Sequence, residues 1–197
     1  ISRGHCMSSS RRAKNRRARQ IIANLFIALL ALVALLLLVG LFLPRVYHVE
    51  RSVNIRAKAD AIYADLATPR RWPEWTVWNR EMDPTADFKF EGPESGVDAC
   101  YSWTGQKLGQ GRLKLVGANP TNGVSYVLEF DNGRFVSEGS LRLESGADGT
   151  TVVWSNEGTL GKNPVNRYLG LMMDSMMGPQ FEQGLSRLKA RAEGSAP

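Results

Sequence analysis

The sequence predicts an α+β fold: a curved antiparallel sheet of about seven strands around a long C-terminal helix, preceded by one transmembrane helix. Three observations carry this prediction. Residues 21–43 form an apolar segment, residues 87–160 contain six strand-like segments separated by glycine-containing turns, and residues 164–192 show apolar residues at helical spacing. The predicted organisation is a basic tail at 1–20, a membrane segment at 21–43, a folded domain at 44–193 and a disordered tail at 194–197.

The apolar segment Ile21–Leu43 is long enough to cross a membrane. Its 23 residues are interrupted only by Asn24 and Gly40, and as a helix they would extend about 34 Å against a hydrocarbon core of about 30 Å. The segment has no polar face, which argues against a buried soluble helix. It also ends without a small-residue cleavage site, so we expect an uncleaved signal anchor.

The charges around this segment predict its orientation. The first twenty residues carry seven basic side chains and no acidic one, which places the N-terminus in the cytoplasm and the domain beyond the membrane. After residue 43 there are 18 basic against 19 acidic residues, so the basic pI of about 9.6 comes from the tail. No aromatic residues are interleaved with the basic ones, so we expect anionic lipid and no nucleic acid as partner. Residues 1–6 precede Met7 and are interpreted as upstream residues.

The domain begins with a strand and a helical interval. Alternate residues of the strand share one face: Tyr47, Val49, Arg51, Val53 and Ile55. Ile62, Tyr63 and Leu66 then follow at helical spacing until Pro69, so two short helices fit this interval better than one.

A run of strands and a final helix complete the domain. Asn132-Gly133 is the strongest of several hairpin signals, and successive hairpins make an antiparallel meander. The strands are expected at 87–91, 99–104, 109–118, 123–131, 134–144 and 150–160. In the last helix one apolar face is predicted, comprising Phe181, Leu185, Leu188 and Ala192, and Gly178-Pro179 marks a kink or a break. Since the apolar face of the sheet must be covered, this helix is the expected cover.

Several stretches resemble one protein family along nearly the whole chain, from about residue 21 to 193. They are "LFLPRVYHVERSVNI", "WPEWTVW", "GPESGVDACYSW" and "MMGPQFEQGLSRLKA". Together with the order of elements, they resemble a membrane-anchored bacterial branch of the START-like helix-grip superfamily, also called SRPBCC or polyketide cyclase/dehydrase type. The "TVW" ending departs from the usual "SPW" but keeps the terminal Trp. The resemblance implies a single-pass protein of the bacterial inner membrane, with an apolar pocket between sheet and long helix on the extracytoplasmic side.

Aromatic and thioether side chains are the candidate lining of that pocket. Trp72, Trp75 and Trp78 recur every three residues and are expected to close the open end of the sheet, either as core alone or as core that also contacts a ligand. Adaptable methionines occupy one flank of the last helix, and aromatic residues of the strands are expected to face them. These further candidates are Met172, Met173, Met176, Met177, Tyr101, Trp103, Tyr126 and Phe130.

The sequence offers little for catalysis. It has no metal-ligand spacing, no Walker loop and no nucleophile motif, so we expect neither a metal nor a cofactor. An acid or base would have to be a carboxylate with a pKa raised by burial, for which Glu129, Glu138 and Glu157 are weak candidates. We therefore expect a module that binds an apolar small molecule or lipid beside the membrane. The alternatives are a cyclase, hydratase or hydrolase, or a scaffold for a protein partner, and the oligomeric state stays open.

Overall fold

The computed structural model describes the chain from Met7 to Gly194, with side chains from Arg19 onward. It contains a long N-terminal helix, a seven-stranded sheet, short helices after the first strand and a long C-terminal helix. The elements are α1 Met7–Phe42, β1 Val46–Ile55, α2 Ala59–Leu66, a 3-10 turn at Pro69–Arg71, α3 Trp72–Trp75, β2 Asp87–Glu91, β3 Cys100–Gly105, β4 Gly109–Asn119, β5 Gly123–Phe130, β6 Phe135–Gly146, β7 Gly149–Thr159 and α4 Pro164–Ala192.

The sheet is antiparallel throughout, in the order β1-β7-β6-β5-β4-β3-β2. The strands β2 to β7 therefore form the predicted meander, and β1 pairs with β7 at one edge. Asp131, Asn132 and Gly133 all adopt positive φ in the turn between β5 and β6, which suits the Asn-Gly signal at this position. The sheet curves around α4, so the α+β fold with a long C-terminal helix is confirmed.

Helix α4 lies across the concave face of the sheet, and its C-terminal half is packed most deeply. Phe181, Leu185 and Leu188 are fully buried, as their spacing predicts. The expected break at Gly178-Pro179 does not occur, because α4 runs through Pro179 as one helix.

The side chain of Arg51 from β1 crosses α4 just beside this proline. Its guanidinium binds both carboxylate oxygens of Asp174 at 2.8 and 3.0 Å and one oxygen of Glu182 at 2.7 Å. Gly178 lies between these two acidic residues, and a Cβ there would collide with the guanidinium. The ion pairs on both sides of Pro179 thus connect both halves of α4 to β1.

Three aromatic rings on the concave face lie over glycines of the neighbouring strand. Each ring belongs to the residue directly opposite its glycine in the strand pairing, and a Cβ on the glycine would overlap the ring. The pairs are Trp103 with Gly111, Tyr126 with Gly139, and Tyr47 with Gly158. These glycines let large rings lie flat on the sheet, which is a known way of stabilising glycine within strands.

Helix α1 differs from every other element in its surroundings. Between Arg19 and Phe42 its mean hydropathy is 3.2, and almost none of this segment is buried against the rest of the protein. In length and composition it could cross a membrane as an anchor or a signal sequence. Only residues 43–45 separate its end from β1.

Candidate functional site

A groove of about 770 Å³ lies between the sheet and the N-terminal half of α4. It is bounded by the ends of β1 and β7, by the hairpin of β5 and β6, and by one side of α4. Its apolar walls come mainly from Tyr47, Leu128, Phe130, Leu160, Met173 and Met177. A more open depression of about 860 Å³ surrounds the turn between β6 and β7 at the opposite end of the sheet, where backbone and polar groups dominate.

The groove exists because aromatic residues fill only the other half of the space beneath α4. Trp154 stacks on Phe181 with ring centroids 4.2 Å apart, and the rings of Trp72 and Trp75 lie 6.4 and 5.4 Å from Trp154. Trp78 packs edge-on against Trp154 at 5.8 Å. Among the described residues, no tryptophan lines the space under the first half of α4, and this space stays open.

The predicted lining residues separate into three groups. Phe130, Met173 and Met177 line the groove. The core takes a second group, of which only Trp78 is partly exposed: Trp72, Trp75, Trp78, Tyr101, Trp103 and Tyr126. Met172 and Met176 are 56% and 57% exposed and lie on the outer side of α4.

The tryptophan segment packs against the C-terminal half of α4 as core, one of the two alternatives expected for it, and its three tryptophans do not line the groove. The expectation for the methionines needs correction. Residues one position apart on a helix point about 100° apart, so Met173 and Met177 face the groove while Met172 and Met176 do not.

A polar cluster at the inner wall of the groove was missed by the sequence analysis. The hydroxyl of Tyr47 donates to Oδ1 of Asn156 at 3.1 Å, and Nδ2 of Asn156 donates to Oγ of Ser137 at 3.2 Å. Tyr47 and Ser137 both line the groove, whereas Asn156 is buried behind them. One signal could have revealed it: Asn156 follows Val152 and Trp154 on the inward face of β7, and a polar residue in such an apolar row needs a partner.

The tyrosines of the concave face are neutral at pH 7, and burial moves their pKa values still further from neutrality. Burial raises the pKa of Tyr47 and of Tyr101, and it raises the pKa of Tyr126 to about 12. The Tyr126 hydroxyl accepts a hydrogen bond from Nε1 of Trp154 at 2.9 Å. The interior next to the groove is therefore uncharged at neutral pH and suits an apolar occupant.

The charged side chains that line the groove lie at its rim. Among the described residues that line the groove, Asp131 and Arg134 are the charged ones, 3.5 Å apart in the turn after β5. The candidate carboxylates Glu129, Glu138 and Glu157 are all exposed on the convex face. They lack the burial that an acid–base role in the groove requires, so the structure contradicts that expectation.

The comparisons with known proteins agree with this architecture. The sequence profile described as "Polyketide cyclase / dehydrase and lipid transport" matches residues 47–193. No curated protein sequence matches the chain significantly.

Solved structures share the fold at low sequence identity. The di-domain ARO/CYC StfQ from the steffimycin biosynthetic pathway has a TM-score of 0.57 and 15% identity, covering 76% of this chain and 51% of its own. Protein MLL2253 from Mesorhizobium loti has a TM-score of 0.52 and 19% identity, covering 73% and 97%. Protein Ms6760 from Mycobacterium smegmatis has a TM-score of 0.52 and 16% identity, covering 76% and 92%. The profile match spans 147 of the 197 residues, and the chain therefore belongs to the polyketide cyclase / dehydrase and lipid transport family.

Proposed function

We propose that the protein is a membrane-anchored module that binds an apolar small molecule or lipid in the groove between the sheet and α4. The observation that carries this proposal is the groove itself. Its volume of about 770 Å³ falls within the range of about 300–1,000 Å³ that is typical of small-molecule sites. The description of the family names lipid transport, which is compatible with this function.

The chemistry of the walls favours an apolar ligand with a small polar group. Leu128, Phe130, Met173 and Met177 offer aliphatic, aromatic and thioether contacts, and filling such a space removes apolar surface from water at about 25 cal/mol per Å². Flexible methionines can adapt to irregular ligand shapes. Ser137 supplies a hydroxyl at the inner wall, where it could bind one polar group of the ligand.

The anchor gives the module its place in the cell. We propose that α1 is an uncleaved signal anchor with a cytoplasmic N-terminus, since seven basic residues precede the apolar segment, against Arg45 and Arg51 just after it. Alkaline phosphatase fused after Pro197 should then be active in a bacterial host. An inactive phosphatase fusion combined with an active cytoplasmic reporter would contradict this topology.

Two methionine substitutions on α4 test ligand binding. Met173→Trp places an indole into the groove, whereas Met176→Trp places the same group on the outer side of α4. Native mass spectrometry of the full chain in mild detergent, followed by organic extraction, should detect a bound lipid-like molecule in the wild type and in Met176→Trp. The Met173→Trp variant should lose it.

Two outcomes would contradict the proposal. One is a wild-type chain without bound ligand that also fails to incorporate a photoactivatable fatty acid at peptides of β5. The other is a Met173→Trp variant that keeps its ligand as well as Met176→Trp does.

A further inference from the structure

The first turn of α4 is bound to the end of α1. Nη1 of Arg167 donates to the backbone carbonyl of Leu41 at 2.6 Å and lies 3.3 and 3.4 Å from the carbonyl oxygens of Gly40 and Leu43. Carbonyls in the last turn of a helix lack intrahelical partners. The guanidinium of Arg167 serves as the hydrogen-bond donor to these carbonyls. The domain is thereby fastened to α1.

A second contact reaches further along α1. The hydroxyl of Tyr168 donates to the carbonyl of Leu36 at 2.6 Å. Gly40 permits this approach, because a Cβ there would meet Pro164 at 2.8 Å. We call Arg167 and Tyr168 the anchor clamp.

The clamp determines how deep α4 lies if α1 crosses a bilayer. Leu36 is seven residues before Leu43, where the apolar segment ends, which corresponds to about 10 Å along the helix axis. The apolar segment exceeds a hydrocarbon core of about 30 Å by only about 4 Å. Even if all of that excess lies at this end of the segment, the hydroxyl of Tyr168 lies about 6 Å inside the hydrocarbon core, at the depth of the acyl chains.

Exposed apolar side chains flank the mouth of the groove at this same end of the domain, next to the ion pair of Asp131 and Arg134. Val165, Leu169 and Met172 follow one another at helical spacing on α4, and each is more than half exposed. Phe135 and Val136 in the hairpin of β5 and β6 lie on the opposite side of the groove and are about half exposed. We call these five residues the apolar rim. Contiguous exposed apolar surface of this kind marks an interaction site.

We infer that the apolar rim is immersed in the leaflet from which α1 emerges, so that the groove takes its ligand directly from the bilayer. This inference rests on the proposed function, since it names the source of the ligand. The occupant of the rim is lipid, because the clamp holds the rim beside a helix that is itself fit to cross a bilayer. Acyl chains can then enter the groove past Leu169, which belongs to both rim and groove.

Spin labels on the full chain in vesicles of phosphatidylethanolamine and phosphatidylglycerol test this inference. In a background of Cys6→Ser and Cys100→Ala, a nitroxide is attached at Leu169→Cys or Met172→Cys. Val116→Cys on β4 is the control, because Val116 is similarly exposed but lies away from the rim. Labels at the rim should collide more with oxygen than with a water-soluble nickel chelate, and the control label should show the reverse. Rim labels that behave like the control would overturn the inference.

The role of the clamp is tested separately by Arg167→Ala combined with Tyr168→Phe. This pair should reduce the oxygen excess at Met172→Cys while the far-ultraviolet circular dichroism stays unchanged. An undiminished oxygen excess would show that the clamp does not hold the rim in the leaflet. Ligand retention, measured by native mass spectrometry on the same samples, distinguishes the two proposals. A loaded groove with an aqueous rim would overturn membrane docking alone, and an immersed rim with an empty groove would overturn the proposed function alone.

Discussion

Replacing Phe181 with alanine should destabilise the domain more than any surface change on the same helix. Phe181 is fully buried and stacks on Trp154 with a centroid distance of 4.2 Å and an interplanar angle of 1°. A phenyl side chain that buries about 150 Å² contributes about 4 kcal/mol at 25 cal/mol per Å², and measured Phe→Ala costs are about 3–5 kcal/mol. The stacking geometry adds about 0.5–1.5 kcal/mol. We therefore expect a loss of about 4–5 kcal/mol.

Thermal unfolding followed by near-ultraviolet circular dichroism measures this loss, since the signal arises from the packed tryptophans. For a domain of about 150 residues the expected loss lowers Tm by about 8–20 °C. Gln183→Ala is the matched control, because Gln183 is exposed two residues further along α4 and should change stability by no more than about 0.5 kcal/mol. Equal Tm values for the two variants would refute the packing of α4 on the sheet.

Two pH-dependent predictions follow from buried groups, each checked by urea unfolding across a pH series. Hydrogen bonds from the Thr85 hydroxyl and the Lys107 backbone N–H hold the pKa of Asp83 well below its usual value. Folding favours the ionised form, so this contribution is present above about pH 4 and is lost as the pH falls; Asp83→Asn should remove that acid-side slope. Burial raises the pKa of Tyr126 to about 12, so its contribution is present below about pH 10 and declines between about pH 10 and 12. Tyr126→Phe should flatten that decline, and at neutral pH it should cost about 1–3 kcal/mol because Nε1 of Trp154 loses its acceptor. A slope unchanged in either variant would contradict the corresponding assignment.

Most of the sheet could be predicted from the sequence because its signals are local. Turn residues such as Asn132-Gly133 separate the strands, and the alternation from Tyr47 to Ile55 correctly identifies the inward face of β1. Helix α4 was harder to orient. Its first half carries apolar residues on nearly every side, so no polar face distinguishes Met173 from Met172.

The groove depends on contacts that the sequence does not encode locally. Trp72 and Trp75 were expected either as core alone or as core that also contacts a ligand, and their packing against Trp154, which is distant in the chain, places them in the core. Pro179 was expected to kink or break α4, and the break does not occur; the ion pairs from Arg51 on either side of Pro179 join residues that are far apart in the chain. Such features require the tertiary packing to be known.

The ring of Tyr47 resting on Gly158 implies that a residue which never touches the ligand can set the capacity of the groove. Tyr47 forms part of the groove floor. The height of its ring above the sheet depends on Gly158, which has no side chain beneath the ring. A methyl group at Gly158 would lift the ring toward α4 and make the groove shallower from below. Relatives that differ only at this strand position could therefore select ligands of different thickness with identical walls.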